Sequence, residues 1–324
     1  MHEPKFFQLL VEDELKKIPF NFSPAELYEP IRYMLSLGGK RMRPSLVMMG
    51  AELFGGDYRD ALSPALGIEV FHNFTLLHDD LMDKAPVRRS KPTVHHKWNA
   101  DIAILSGDTM FVKSCELMMQ VKDDVLRTVM NLFHRTAIEV CEGQQFDMNY
   151  QSAETISASE YIQMISLKTA ALLASSLKTG AIVAHAKAND SDHLYAFGKN
   201  VGIAFQLHDD ILDVYGDEQK FGKQTGGDII SNKKTFLLLS ALEKATGNTR
   251  KELKRWLSQK EFNAVEKVNA VKEIFSALRI REASEEKMDG FFQHAMADLD
   301  RVDVIEENKI VLRSFTEKLM VREA

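Results

Sequence analysis

The residues best placed to do chemistry are two acidic heptapeptides. Leu77-His78-Asp79-Asp80-Leu81-Met82-Asp83 returns as Leu207-His208-Asp209-Asp210-Ile211-Leu212-Asp213, differing only at its fifth and sixth positions. On a helix, the first and last aspartates of each copy stand four residues apart and the second and last three apart, so the spacing predicts one carboxylate cluster per copy. Two carboxylates about 6 Å apart repel by roughly 3 kcal/mol at an effective dielectric near 20, so each cluster asks for a cation. Carboxylate oxygens are hard donors suited to magnesium, which binds through one or two carboxylates and completes its shell with water and substrate phosphates. A single acidic motif of this kind can equally be a solvated face or a helix start. Two copies so far apart in sequence suggest related elements brought face to face.

Cations that could answer phosphate oxygens lie nearby in sequence. Gly38-Gly39-Lys40-Arg41-Met42-Arg43-Pro44 follows the apolar run from Ile31 to Leu37 and sets three cations beside glycines that permit close backbone approach. The same pattern also serves as a glycine helix C-cap with basic residues answering the helix dipole. Arg88 and Arg89 follow the first acidic cluster, and Lys223 and Lys233 follow the second. Each half thus pairs acids that hold metal with bases that grip phosphate. His72 lies seven residues before Asp79, two helical turns earlier and on nearly the same face. Lys168-Thr169 opens a run of small residues, Ala170, Ala171 and Ala174, and is expected to begin a helix.

The elements that must position these groups are helices. Only 8 prolines and 17 glycines occur in 324 residues, Leu, Met, Ala, Glu and Lys recur in long stretches, and no strand is expected. Ser23-Pro24-Ala25-Glu26 and Ser157-Ala158-Ser159-Glu160 both fit the capping box and predict helix starts. From Leu126, the apolar positions Val129, Met130, Phe133, Ala137 and Val140 mark one buried stripe, which then meets Gln144 and Asp147 and so predicts a polar interior. Apolar runs before each motif (Phe71, Phe74, Leu76, Leu77; Val201, Phe205, Leu207) place the acids at the ends of buried helices. None of the loops at Gly38-Gly39, Asp83 to Pro92 and Tyr215 to Asp228 reads as a linker, so a single all-α domain spanning 1–324 is expected.

Composition narrows the function classes. With 45% hydrophobic and 27% charged residues the chain is globular in composition, and a net charge of -6 from 41 basic and 47 acidic residues argues against nucleic-acid binding through a global positive field. Any anion site is local. Cys115 and Cys141 have neither metal-ligand spacing nor a disulfide framework; they read as small core residues in a reducing compartment. Residues Met1 to Phe20, carrying Glu3, Glu12, Asp13 and Glu14, fit neither a signal nor a transit peptide. No run reaches the roughly 18 apolar residues of a membrane span, and a cytoplasmic protein is expected.

Taken in order, GGKRMRP at Gly38 to Pro44, DDLMD at Asp79 to Asp83 with Arg88-Arg89 and Pro92 to His95, GQQFD at Gly143 to Asp147, Lys168-Thr169, FQLHDDILD at Phe205 to Asp213, Gly222-Lys223 and GDIISNKKT at Gly227 to Thr235 resemble the trans-isoprenyl diphosphate synthase (polyprenyl synthetase) family. The likeness runs from about Leu35 to Thr235. It implies a bundle of long antiparallel helices around a central cavity, commonly a homodimer, and a magnesium-dependent condensation of isopentenyl diphosphate with an allylic diphosphate (dimethylallyl, geranyl or farnesyl). It further implies that Asp79 and Asp83, with Asp80 in support, hold two magnesium ions, and that Asp209, with Asp210 and Asp213 nearby, holds a third. By the same likeness Arg88, Lys168, Lys223 and Lys233 bind the allylic diphosphate, Thr169 and Gln206 lie near its reacting end, and Lys40, Arg43, His72 and Arg89 bind isopentenyl diphosphate. Ser90 and Asn232 depart from the glycines frequent in the family, without removing a charged group.

The resemblance also bears on product length. Phe74, five residues before Asp79, and Phe71, eight before it, resemble the bulky floor that stops elongation at fifteen or twenty carbons, although two phenylalanines can equally be ordinary core. The rival readings are a longer-chain synthase, a class I terpene cyclase and a non-catalytic synthase subunit. A cyclase typically mixes Asn or Asp, Ser or Thr, and Glu in its second metal site, and a subunit is expected to lack one acidic motif; both motifs are present here.

Overall fold

In a computed structural model, residues 1–216 and 225–320 are described, and they are helical apart from loops and one two-stranded hairpin. The chain passes through α1 (Pro4–Lys17), α2 (Ala25–Ser36), α3 (Met42–Leu53), α4 (Leu62–Met82), β1 (Val87–Arg88), β2 (Lys91–Pro92), α5 (Val94–Lys97), α6 (Ala100–Met118) and α7 (Asp123–Ser152). It continues through α8 (Ala158–Ile165), a π-helical segment (Ser166–Ala170), α9 (Ala171–Val183) and α10 (Ala188–Tyr215). Beyond Thr225 follow α11 (Gly227–Ile230), α12 (Phe236–Lys244), α13 (Gly247–Ser258), α14 (Ala264–Ala277), α15 (Ile280–Asp300) and α16 (Glu306–Met320). No helix among the described residues is long and apolar enough to cross a membrane.

Two compact units emerge, each gathered from separated stretches of chain. The first comprises Met1–Arg135, Ser175–Leu194 and Val302–Leu312. Its central element is α4, buried from Pro64 through Phe71 and packed on α3 and α6. Phe71, Phe111 and Phe133 meet with ring centroids 5.3 to 6.5 Å apart. A fully buried phenylalanine such as Phe71 or Phe133 contributes roughly 1.5–3 kcal/mol, so this cluster anchors the middle of α4.

The second unit comprises Thr136–Ala174, Tyr195–Arg301 and the stretch from Arg313. Two apolar clusters organise it. Tyr161, Met164, Ile203, Leu207 and Phe236 form one, and Ile211, Val214, Leu237, Leu253, Trp256 and Phe275 the other. Helix α10 contributes to both, and the second acidic motif lies where it passes from one to the other.

Local chemistry explains several boundaries, and three expectations need correction. Ser157 accepts from the Glu160 N–H at 3.2 Å while Glu160 accepts from the Ser157 N–H at 2.7 Å, the capping box expected at α8. The second box fails: α2 is capped at Pro24 with no side-chain bond. A proline N-cap has no N–H to receive the returning carboxylate. A hairpin exists where no strand was expected, because Arg89 and Ser90 both adopt left-handed backbone (φ 51° and 60°) and turn the chain as a two-residue β-turn does. Cys141 is exposed and Cys115 half-buried, so Cys141 is not a core residue. The stripe through Val129, Phe133, Ala137 and Val140 is buried as expected, and Gln144 continues it into the interior.

Candidate active site

Cations gather in the first unit around a buried imidazole. Arg41 is only 3% exposed and is held at all three nitrogens: Nε donates to Glu12 at 2.8 Å, Nη1 to Glu69 at 2.5 Å and Nη2 to the Leu35 carbonyl at 2.8 Å. It belongs to the scaffold, and its left-handed backbone (φ 44°) turns the chain into α3. Arg43, two residues on, is different. Burial pushes its guanidinium down to about 10, Nη1 lies 3.2 Å from His72 Nε2, and its buried Nε has no hydrogen-bond partner among the described residues. Arginine can only donate, so neutral His72 accepts at Nε2 and carries its proton on Nδ1. Burial, then Arg43, Arg89, Arg88 and Arg41, hold the His72 pKa well below the usual imidazole range. Gly39 makes room for Arg89: a Cβ there would stand 3.0 Å from Arg89 Nη2, and its φ of 151° suits glycine. Arg43, His72 and Arg89 thus come together, beside exposed Lys40, as an anion-seeking surface.

The first acidic motif closes α4. Asp79 is half-buried in its last turn, Asp83 is the exposed C-cap, and Asp80 is 4% exposed. The hairpin returns Arg88 to Asp80 as a bidentate pair, Nε to Oδ2 at 2.7 Å and Nη2 to Oδ1 at 2.8 Å. Phe74 sits half-buried between Phe71 and Phe111, with the His78 ring 4.8 Å away.

The second motif keeps the same spacing with other partners. Asp210, 2% exposed, accepts from the Tyr161 hydroxyl at 2.5 Å and from Gln206 Nε2 at 3.1 Å. Burial raises its pKa to about 7, against the lowering by Lys233 and by those two hydrogen bonds. Asp213 accepts from the Asp228 N–H at 2.9 Å and so ties α10 to α11. Lys233 lies 3.5 Å from Asp228, and Asp228, Asp210 and Asp147 raise its pKa although burial lowers it. A water-sized cavity of about 10 Å³ lies between Val214, Asp228, Lys233, Thr235 and Phe275. Thr169 donates to Gln206 at 3.3 Å, and Lys168 donates to Asp147 at 2.6 Å.

Lys168 and Thr169 lie inside the π-helical segment, not at a helix start as expected. Gly143 lets α7 approach that segment; a Cβ on it would meet the Lys168 nitrogen at 2.3 Å. Within each motif the middle aspartate turns toward its own partner, since adjacent helical residues point about 100° apart, and no three of His, Cys, Asp and Glu among the described residues converge to hold an ion. Asp79 and Asp83, and Asp209 and Asp213, remain hard-oxygen donors of the kind that hold magnesium together with phosphate oxygens. Lys223 lies outside the described residues. Tyr161 and Asp228, absent from the expected site, touch its residues at Asp210 and at Asp213 and Lys233: Tyr161 reads as core in sequence, and Asp228 was visible only as the acid five residues before Lys233.

Similarity to known proteins agrees with this chemistry. The chain is 39% identical over 223 residues to a geranylgeranyl diphosphate synthase of Methanosarcina mazei, covering 68% of this chain and 69% of that one. A crystal structure of a geranylgeranyl pyrophosphate synthase superposes with a TM-score of 0.94 at 40% identity, covering both chains fully. A geranylgeranyl pyrophosphate synthase from Corynebacterium glutamicum, complexed with isoprenyl diphosphate and magnesium, superposes at 0.87 with 26% identity, over 99% of this chain and 100% of that one. The polyprenyl synthetase family model matches residues 24–275, and with paired acidic motifs on an all-α frame, this chain belongs to that family of trans-prenyltransferases.

Proposed function

We propose that this trans-prenyltransferase condenses isopentenyl diphosphate head-to-tail with an allylic diphosphate to a fifteen- or twenty-carbon product, using both acidic motifs on one reaction. The observation that carries the reading is the division of labour among the charged groups: a cation cluster around neutral His72 in one unit, and acids interleaved with Lys168 and Lys233 in the other. Asp79, Asp83 and Asp209, with Asp80, Asp210 and Asp213 in support, would hold about three magnesium ions. Bound magnesium neutralises diphosphate charge and eases its departure. Lys168, Lys233, Arg88 and Lys223 grip the allylic diphosphate as its carbon–oxygen bond breaks. Thr169 and Gln206 flank the allylic cation that remains. Lys40, Arg43, His72 and Arg89 orient isopentenyl diphosphate so that its double bond forms the new carbon–carbon bond. The proton then lost passes to the released diphosphate, and no side-chain nucleophile is needed. Phe74, backed by Phe71, limits the growing tail.

We also infer a homodimer. Leu105, Val112 and Met119, seven residues apart along α6 and just past its end, are 59%, 57% and 53% exposed, an apolar stripe that a second copy would cover. Light scattering reads the mass directly, and a monomer at micromolar concentration overturns this.

The reaction is tested by incubating the purified chain with magnesium, isopentenyl diphosphate and, separately, dimethylallyl, geranyl and farnesyl diphosphates, then sizing products by mass spectrometry. A fifteen- or twenty-carbon diphosphate that disappears with chelator is the expected result. A much longer product removes the role of Phe74, and condensation with none of the primers removes the function.

A further inference from the structure

We propose that Lys267 is a positioning residue for the diphosphate-binding Lys233, acting through the turn at Ile230 to Asn232. The inference rests on the reading of Lys233 given above. Lys267, on α14, is 0% exposed. Its ammonium donates to the Ile230 carbonyl at 3.1 Å and to Asn232 Oδ1 at 2.7 Å, and lies 4.1 Å from the centroid of the Phe262 ring. Neither acceptor is a carboxylate. A buried ammonium held by neutral groups loses hydration without gaining an opposite charge, so stability alone does not call for lysine here; a methionine would fill the space without that loss.

What the ammonium supplies is a fixed geometry for the turn. Asn232 is left-handed (φ 55°), and its side chain is held at both ends: Oδ1 by Lys267, Nδ2 by donation to the Leu257 carbonyl at 3.0 Å. Helix α14 also meets the start of this segment, because a Cβ on Gly226 would stand 2.8 Å from Val268. One helix therefore templates both ends of the stretch carrying Asp228. The next residue is Lys233, whose N–H donates to the Asp228 carbonyl at 2.9 Å. On its other side Lys234 donates to the carbonyls of Tyr150, at 2.5 Å, and Ala153. With neighbours anchored before and after, Lys233 presents its ammonium from a backbone held on two sides. A displacement of about 1 Å in such a group can cost on the order of a hundredfold in rate.

The test compares initial rates of the full chain carrying Lys267→Met, Asn232→Ala, Lys233→Ala or the Lys267→Met/Lys233→Ala pair, with geranyl and isopentenyl diphosphates as substrates. Lys267→Met is expected to raise KM for geranyl diphosphate about tenfold, leaving KM for isopentenyl diphosphate within about twofold and the melting temperature within a few degrees. Asn232→Ala, which cuts the same link from outside the core and decides the matter if Lys267→Met does not fold, should raise the same KM. On the Lys233→Ala background, Lys267→Met should add less than about twofold. An unchanged KM for geranyl diphosphate, a parallel rise in both KM values, or a full tenfold effect in the absence of Lys233 overturns the proposal. A normal Lys267→Met beside a defective Lys233→Ala removes the role of Lys267 alone, whereas a normal Lys233→Ala removes the reading of Lys233 and the proposal with it.

Discussion

Asp80 and Asp210 hold the same place in two nearly identical heptapeptides, and the fold surrounds them differently. Asp80 accepts two parallel bonds from Arg88, brought back by a hairpin only a few residues downstream. Asp210 accepts from a phenol and an amide, and burial takes its pKa to about 7 against the lowering by Lys233. The first carboxylate is matched by a full charge built into the same loop; the second is buried ahead of any such match. The motif determines where carboxylates leave a helix, and the burial that the rest of the fold imposes on Asp210 determines how readily that one bears charge.

The largest expected effect treats the motifs as equals. Asp79→Ala and Asp209→Ala should each lower kcat/KM about a thousandfold or more, with the far-ultraviolet circular dichroism of the parent. Near-normal turnover in either variant breaks the equivalence and the metal assignment for that motif.

A second experiment separates the middle aspartates. The folded pKa of Asp210, about 7, lies above its unfolded value near 4, so the stability it contributes is complete below about pH 4 and lost as pH rises through 7. In chelator, Asp210→Asn should therefore raise unfolding free energy at pH 8 by roughly 2–4 kcal/mol, a gain that fades toward pH 4. Asp80→Asn should lower stability at pH 8, because it strips the charge from the Arg88 pair. Urea unfolding at the two pH values reads both, and a shared sign at pH 8 would erase the distinction drawn between them.

The smallest effect concerns the phenol. Tyr161→Phe should cost about 1–2 kcal/mol in urea unfolding, since it deletes one buried hydrogen bond and leaves Gln206 in place. No measurable loss would mean that Tyr161 serves Asp210 by packing alone.

The placement of the acidic motifs and of His72 on helices was legible in sequence because helical spacing is a local property, whereas the roles given to Arg43 and Arg88 came from the family resemblance. Tyr161 and Lys267 were not legible, since each reaches its partner from far along the chain and reads as an ordinary core or solvated residue until that partner is known. Ser23 failed as a cap because a neighbouring proline took the position, a steric detail that the Ser-x-x-Glu pattern ignores. Lys168 and Thr169 were identified as site residues but placed on the wrong kind of helix, because a single wide turn leaves no compositional mark.

That wide turn has a consequence for phase. A π turn holds one residue more than an α turn, so side chains after Ala170 are rotated by about 100° from where an unbroken helix would carry them. Tyr161, Met164 and Ile165 mark one buried face before the offset, whereas every side chain from Ala170 to Leu177 is buried after it. A one-residue deletion there would rotate the fully buried stretch from Ala170 to Leu177 within its packing, or turn Lys168 and Thr169 away from Asp147 and Gln206. The segment acts as a vernier between two helical rulers, and chain length through it is less free to vary than its small, plain side chains suggest.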